Sequence, residues 1–278
     1  MMPDMPTLKL VPVNKLLIHE RHDEQRALPL ALRIRSSGVF RNPIIVSPLQ
    51  DGSGRYMVLD GSNRTTALEE LGFPDALVQV VEPDDPGLKL ENWNHVVWEL
   101  NARRFLENIR NLPGILLKPS YREDVVPELE GDCGLVVIKS CKGNTYEACC
   151  ETNDLESRVN LLNAIVDTYQ NRCRLDRTAA RDTHILQEIY PHLSGLVIFP
   201  QFQIHQVMQL CGEGYMLPSG ITRFSVAPRA LHVNYPLGEL KADKPLEEKN
   251  EVLRRWLLDR IAHKGVRYYS EPTVLFDE

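Results

Sequence analysis

The stretch "RYMVLDGSNRTTALEELG", residues 55–72, limits the possible folds more than any other part of the chain. Its first half is a short apolar run of strand-forming residues that stops at Asp60-Gly61. Its second half, "TTALEELG", reads as a helix closed by Gly72, with Pro74 just beyond. A strand that passes through Asp-Gly straight into a helix is a join expected of mixed α/β architecture. The neighbouring segments agree. "LKLVPV", "NPIIVSP" and "ALVQVV" read as strands, and "LPLALRIRSSG" as a helix with Pro29 in its first turn and Gly38 past its end. The Asp-Gly of "LQDGSG" marks a tight turn between two of the strands.

The acidic, proline-rich "EPDDPG" (82–87) is the expected boundary. With 278 residues there is room for two units. The expected fold is α/β (α+β), with a first unit over 1–85 and a second mixed α/β unit over 86–278. In the second unit, "NWNHVVWELNARRFLENI" carries apolar residues at helical intervals, and "RVNLLNAIVDTYQ" and "QIHQVMQLCGEG" read as amphipathic helices. "GLVVIKS" and "GLVIFP" read as strands, and "GITRFSVAPRALHVNYPL" as two short ones. "LEEKNEVLRRWLLDRIAHKG" is a long helix with acids early and bases late, as its dipole favours. "VRYYSEPTVLF" closes the chain with strand-like residues.

Composition excludes several function classes. The net charge of -6 argues against a broad nucleic-acid surface, although it leaves room for local basic patches. No apolar run approaches the ~18–20 residues that span a bilayer, so no membrane partner is expected. "MMPDMPTLKL" lacks the basic and apolar regions of a signal peptide, which makes a cytoplasmic location the expectation. The six cysteines (133, 141, 149, 150, 173 and 211) show no CxxC or zinc-finger spacing, so reduced and mostly buried thiols are expected. Oligomeric state is not legible.

Three segments could carry chemistry. At Asp60–Arg64, a glycine after a strand lets backbone approach a ligand closely, and the following helix presents unsatisfied N–H groups and a partial positive charge. Arg64 adds a guanidinium able to hold phosphate oxygens in a bidentate way. The alternative is a capped turn. No GxxxxGK[ST] and no GxGxxG occurs. In "LIHERHDEQR" (17–26), Glu20 sits at an element edge, with His19 and His22 beside it, as a solvated loop or as a site. In "RNPIIV", Arg41 and Asn42 precede a buried strand, as phosphate ligand and cap or as turn residues.

Taken together, "HE", "RNPIIV" and "YMVLDGSNRTTALEELG" resemble the ParB/sulfiredoxin-like superfamily, in which a strand–glycine–arginine–helix element binds nucleotide phosphates. Ser62 stands where sulfiredoxins carry their reactive cysteine, which excludes that chemistry at this turn. No helix-turn-helix of the ParB type is visible after residue 90. The closer resemblance is to the free L-serine kinases, particularly those of siderophore biosynthesis. It extends through "LKLVPVNKLLIHE", "NWNH" and "LPSGITRFSVAPRALHVNYPL", and so covers most of the chain.

The resemblance implies phosphoryl transfer from ATP or ADP, with Mg²⁺, to the hydroxyl of free L-serine, giving O-phospho-L-serine for siderophore or cysteine-type biosynthesis. It implies Glu20 as general base and Asp60 as a catalytic residue that orients the nucleophile or holds Mg²⁺. Gly61, Ser62, Asn63, Arg64 and Arg41 would bind the nucleotide phosphates, although relatives often have histidine at the Asn63 position. Trp93, His95, Thr222, Arg223 and Phe224 would surround serine, with Arg223 as a clamp for its carboxylate. For Trp93, His95 and Phe224 the residues alone equally suit core packing. The competing expectation is a ParB-like nucleotide- or DNA-binding transcriptional regulator without kinase activity.

Overall fold

The computed structural model describes residues 5–21, 27–121, 126, 127, 129 and 133–269. His22 and the end of the expected last strand lie outside the described residues, and 265–269 do not form a strand.

The first part contains β1 (Thr7–Pro12), β2 (Leu16–Ile18), α1 (Ala27–Ser37), β3 (Val39–Phe40), β4 (Ile44–Pro48), β5 (Tyr56–Asp60), α2 (Ser62–Glu70) and β6 (Asp75–Val80). Five of these strands form a mixed sheet in the order β1-β6-β4-β5-β2. Within it β2 runs parallel to β5, whereas β4 is antiparallel to β5. The near-continuous apolar runs of β4 and β6 have a physical reason: the sheet is covered on both faces. On one face Val46, Val58 and Val78 pack with Ala31 and Ile34 of α1 and with Ala67 and Leu68 of α2. Toward the other, Ile45, Met57 and Leu59 belong to a core shared with the rest of the chain.

The second part opens with β7 (Leu88–Asn92), β8 (Asn94–Trp98), α3 (Ala102–Arg110), β9 (Leu116–Ser120), β10 (Gly134–Ser140), β11 (Thr145–Cys149) and α4 (Leu155–Asp167). It continues with β12 (Arg174–Thr178), α5 (Thr183–Ile189), β13 (Leu193–Ile198), α6 (Ile204–Glu213), β14 (Thr222–Val226), β15 (Tyr235–Pro236), α7 (Leu237–Lys241) and α8 (Leu246–Ala262). Six strands form a second sheet, ordered β12-β8-β13-β10-β11-β9. Val159, Leu162 and Ile165 of α4 share the large core with Val136 and Ile138 of β10. The strands β7 and β14 pair separately, as do β3 and β15.

Two expectations need correction. The helical spacing of "NWNHVVWELNARRFLENI" holds only for α3; its first residues end β7 (Leu88–Asn92) and form β8 (Asn94–Trp98), on either side of Trp93. Val96 and Val97 are fully buried within the second sheet, and burial of β-branched residues between strands overrides a weak helical periodicity. The second difference concerns residues 235–262. Tyr235, Leu237, Leu240 and Leu253 pack in the core of the first sheet, although they lie far beyond residue 85. Packing therefore does not divide where the acidic segment suggests.

Candidate active site

The site forms where two neighbouring strands end. The parallel register pairs Leu16 with Tyr56 and Ile18 with Val58. Both strands run in the same direction, so the segments after Ile18 and Val58, which carry Glu20 and Asp60, leave the sheet at the same end. The chain after β2 does not fray, because Glu20 bridges Leu217. The Leu217 amide donates to the His19 carbonyl at 2.9 Å, and the Arg21 amide donates to the Leu217 carbonyl at 2.8 Å. This holds a residue from the first part against the approach to β14.

The Thr222 hydroxyl donates to Glu20 Oε2 at 2.9 Å and lies 2.8 Å from His19 Nε2. His19 is buried; its Nδ1 donates to the Val58 carbonyl at 2.6 Å, and its ring meets Phe224 edge-on at 5.3 Å. Glu20, Thr222 and Phe224, read as site residues from distant segments, are thus brought together, with His19 as the joint between them.

Asp60 ends β5, and Gly61 caps α2 with φ 107°, a left-handed conformation that suits glycine. A Cβ there would stand 2.8 Å from Arg64 Nη2, so a side chain at this position would displace the folded-back guanidinium. No described side chain caps this helix, which leaves the first amides, from Ser62 to Arg64, for an anion. Arg64 Nη2 donates to Asp60 Oδ2 at 3.0 Å. Arg64 Nε is buried with no hydrogen-bond partner, as expected of a donor waiting for an anion; Asn63 Oδ1, an acceptor, is also unpaired.

A residue that sequence reasoning missed completes this corner: Arg229 also donates to Asp60 Oδ2. Burial pushes the Asp60 carboxyl up, but the charges and hydrogen bonds of Arg64 and Arg229 outweigh it and hold the group below its ordinary value. Arg229 lies within the segment "LPSGITRFSVAPRALHVNYPL" that carried the resemblance, but outside its G-x-T-R-F core, and nothing in the local pattern singled it out. Arg41 borders the same segment, its carbonyl accepting from the Asn234 amide at 3.1 Å.

Trp93 and Arg223 are also brought together. The Trp93 amide donates to the Ile221 carbonyl at 3.0 Å, and the Arg223 guanidinium stacks 4.6 Å over the Trp93 ring. Arg223 stays partly exposed, with Glu91 3.7 Å away, so its outer edge is accessible.

His95 departs from its expected role. It is wholly buried, with Nδ1 2.9 Å from the Tyr169 hydroxyl and Nε2 3.1 and 3.3 Å from the carbonyls of Ser219 and Gly220. Carbonyls only accept, so Nε2 carries the proton and Nδ1 accepts from Tyr169. With both nitrogens engaged in protein contacts, His95 positions the turn before Thr222.

No group of three or more His, Cys, Asp or Glu among the described residues is placed to hold a metal ion by itself. Mg²⁺ typically needs only one or two carboxylates when phosphate oxygens and water complete its shell. Asp60, beside the anion cradle, fits that requirement.

Known proteins resemble this chain in sequence and in fold. The chain is 29% identical to the ATP-dependent L-serine kinase SbnI of Staphylococcus aureus, over 98% of its own length and 97% of the relative's. The chain resembles an L-serine kinase along nearly its whole length. An ATP-dependent L-serine kinase of Staphylothermus marinus is 34% identical over 46% of this chain and 51% of that protein. The solved structure of C-terminally truncated SbnI from Staphylococcus aureus has the same fold, with a TM-score of 0.72 at 26% identity, covering 91% of this chain and 97% of that one. No protein-family model matches. The resemblance read from the motifs and the α/β fold both hold.

Proposed function

We propose that this protein is an L-serine kinase that transfers the terminal phosphoryl group of ATP to the hydroxyl of free L-serine, giving O-phospho-L-serine. The observation that carries the reading is the contact between Glu20 and Thr222, at the sheet end from which Asp60 and α2 also emerge. Glu20 accepts the serine proton as the hydroxyl attacks phosphorus, which is the role the geometry suits for a carboxylate at an open strand end.

The nucleotide phosphates rest on the amides of Ser62 and Asn63, on the Arg64 guanidinium and near Arg41, with Gly61 giving close approach. Mg²⁺, held through Asp60, neutralises phosphate charge when bound. Arg223 clamps the serine carboxylate from its Trp93 platform, Thr222 faces the substrate beside Glu20, and Phe224 closes the wall. His95 supports these residues from below. The choice of ATP over ADP follows the relatives, which are ATP-dependent kinases. Siderophore or cysteine-type biosynthesis is the proposed use of the product. The proposed location is the cytoplasm, where thiols stay reduced; no disulfide joins the six cysteines.

The test is direct. Protein, Mg²⁺, L-serine and either ATP or ADP are incubated, and phosphoserine is measured by mass spectrometry. ATP-driven formation of phosphoserine is expected, and its absence with both donors would falsify the reading. Glu20→Gln is expected to lower kcat by about 10²-fold or more with ATP affinity retained.

A further inference from the structure

Asp60 lies between two guanidiniums, those of Arg64 and Arg229. One carboxylate neutralises one arginine, so the second leaves a net positive charge at the start of α2, where the helix dipole already favours an anion. An arginine that served only to brace Asp60 would duplicate what Arg64 does.

The backbone around Arg229 is unusually well anchored for an irregular segment. Gln79 of β6 donates to the Pro228 carbonyl and accepts from the Ala230 amide, both at 2.8 Å, gripping the chain on each side of Arg229. Asn42 Oδ1 accepts from the His232 amide at 2.8 Å, and the Ala227 amide donates to the Gly87 carbonyl at 3.1 Å. In the sheet register Gln79 faces Ile45, and Ile45 faces Asp60. The anchor and the carboxylate are therefore two strand spacings apart, about 10 Å. Arg229 reaches across β4 from a fixed base, and its half-exposed head ends at the cradle.

We propose that Arg229 is a further catalytic residue, whose guanidinium leaves Asp60 to bind the terminal phosphoryl oxygens of the nucleotide. The proposal rests on the serine-kinase reading. In the reaction the serine oxygen–phosphorus bond forms as the bond from phosphorus to the bridging oxygen of ADP breaks. The serine proton goes to Glu20, and the leaving electron pair stays on ADP. Arg229 exchanges no atom; it balances charge on the group in transit, and its departure frees Asp60 for the metal.

The experiment measures binding of ATP and AMP by calorimetry, with Mg²⁺ and without serine, to the unaltered protein, Arg229→Ala and Arg229→Lys. In Arg229→Ala, ATP affinity is expected to fall about tenfold or more while AMP affinity stays within about twofold, and Arg229→Lys is expected to recover part of the loss. Turnover is expected to fall about 10²-fold or more in Arg229→Ala. Equal losses for ATP and AMP, unchanged ATP affinity, or no ATP binding by the unaltered protein would overturn the proposal. The lysine variant, which keeps the charge, decides the matter if the alanine variant does not fold. The kinase reading fails separately: an unaltered protein that binds ATP without forming phosphoserine refutes it, and the ATP–AMP contrast still decides Arg229.

Discussion

At residue 61 two constraints coincide. The backbone is left-handed, and the space a side chain would fill is occupied by the Arg64 guanidinium. Gly61→Ala therefore adds backbone strain and displaces the arginine from the cradle. The expected outcome is a loss of about 1–3 kcal/mol in stability, read by urea unfolding, with ATP affinity lowered about tenfold in calorimetry. Asp60 and Arg64 were legible because they lie four residues apart in one strand–turn–helix unit, where local geometry brings them together. Arg229 comes to the same carboxylate from 169 residues away, through an anchor on another strand. No local pattern announces such a contact.

Among the elements, the strand pair β7–β14 carries Thr222 and Arg223, with Trp93 one residue past the end of β7, and His95 on β8 holds the turn that leads into β14. Burial, helped by the nearby Arg177 charge, drives the His95 pKa from 6.5 down to about 4, against the hydrogen bonds to the Gly220 and Ser219 carbonyls. The folded protein thus keeps this ring neutral in a range where the unfolded chain takes up a proton. Its contribution is fully present above pH 6.5, falls as pH drops toward about 4, and amounts to about 3 kcal/mol. Urea unfolding at pH 7, 5.5 and 4 checks this: His95→Gln is expected to be less stable at pH 7 and to lose less on acidification. The pattern of "NHVVW" could not reveal this element, because its apolar residues fit a helix as well as a strand. Only pairing with β12 and β13 makes it a central strand.

At the scale of the whole molecule, the chain returns to where it began. Asn250 of α8 exchanges both amide hydrogen bonds with the Leu10 backbone, at 2.8 and 3.0 Å, and so covers part of the edge strand β1. Beside it Lys249 is buried, donating to Asp75 Oδ2 and to the Leu240 carbonyl. Removing one partner of such a pair leaves a buried charge uncompensated. Lys249→Ala is expected to cost about 3–5 kcal/mol in chemical unfolding, whereas Lys249→Met with Asp75→Leu recovers much of it.

The sequence by itself determined β1, β4, β5, β6, α1 and α2 among the elements of the first 80 residues, and it marked Glu20, Asp60–Arg64 and Thr222 as candidate site residues. Apolar periodicity, turn chemistry and family motifs are local or linear signals, and they survive without a fold. Only the tertiary structure decided that Thr222 touches Glu20, that His95 lies beneath the site, that Arg229 shares Asp60, and that residues 235–262 complete the first core. Each of these depends on strand register and on burial between distant segments, which exist only once the chain has packed.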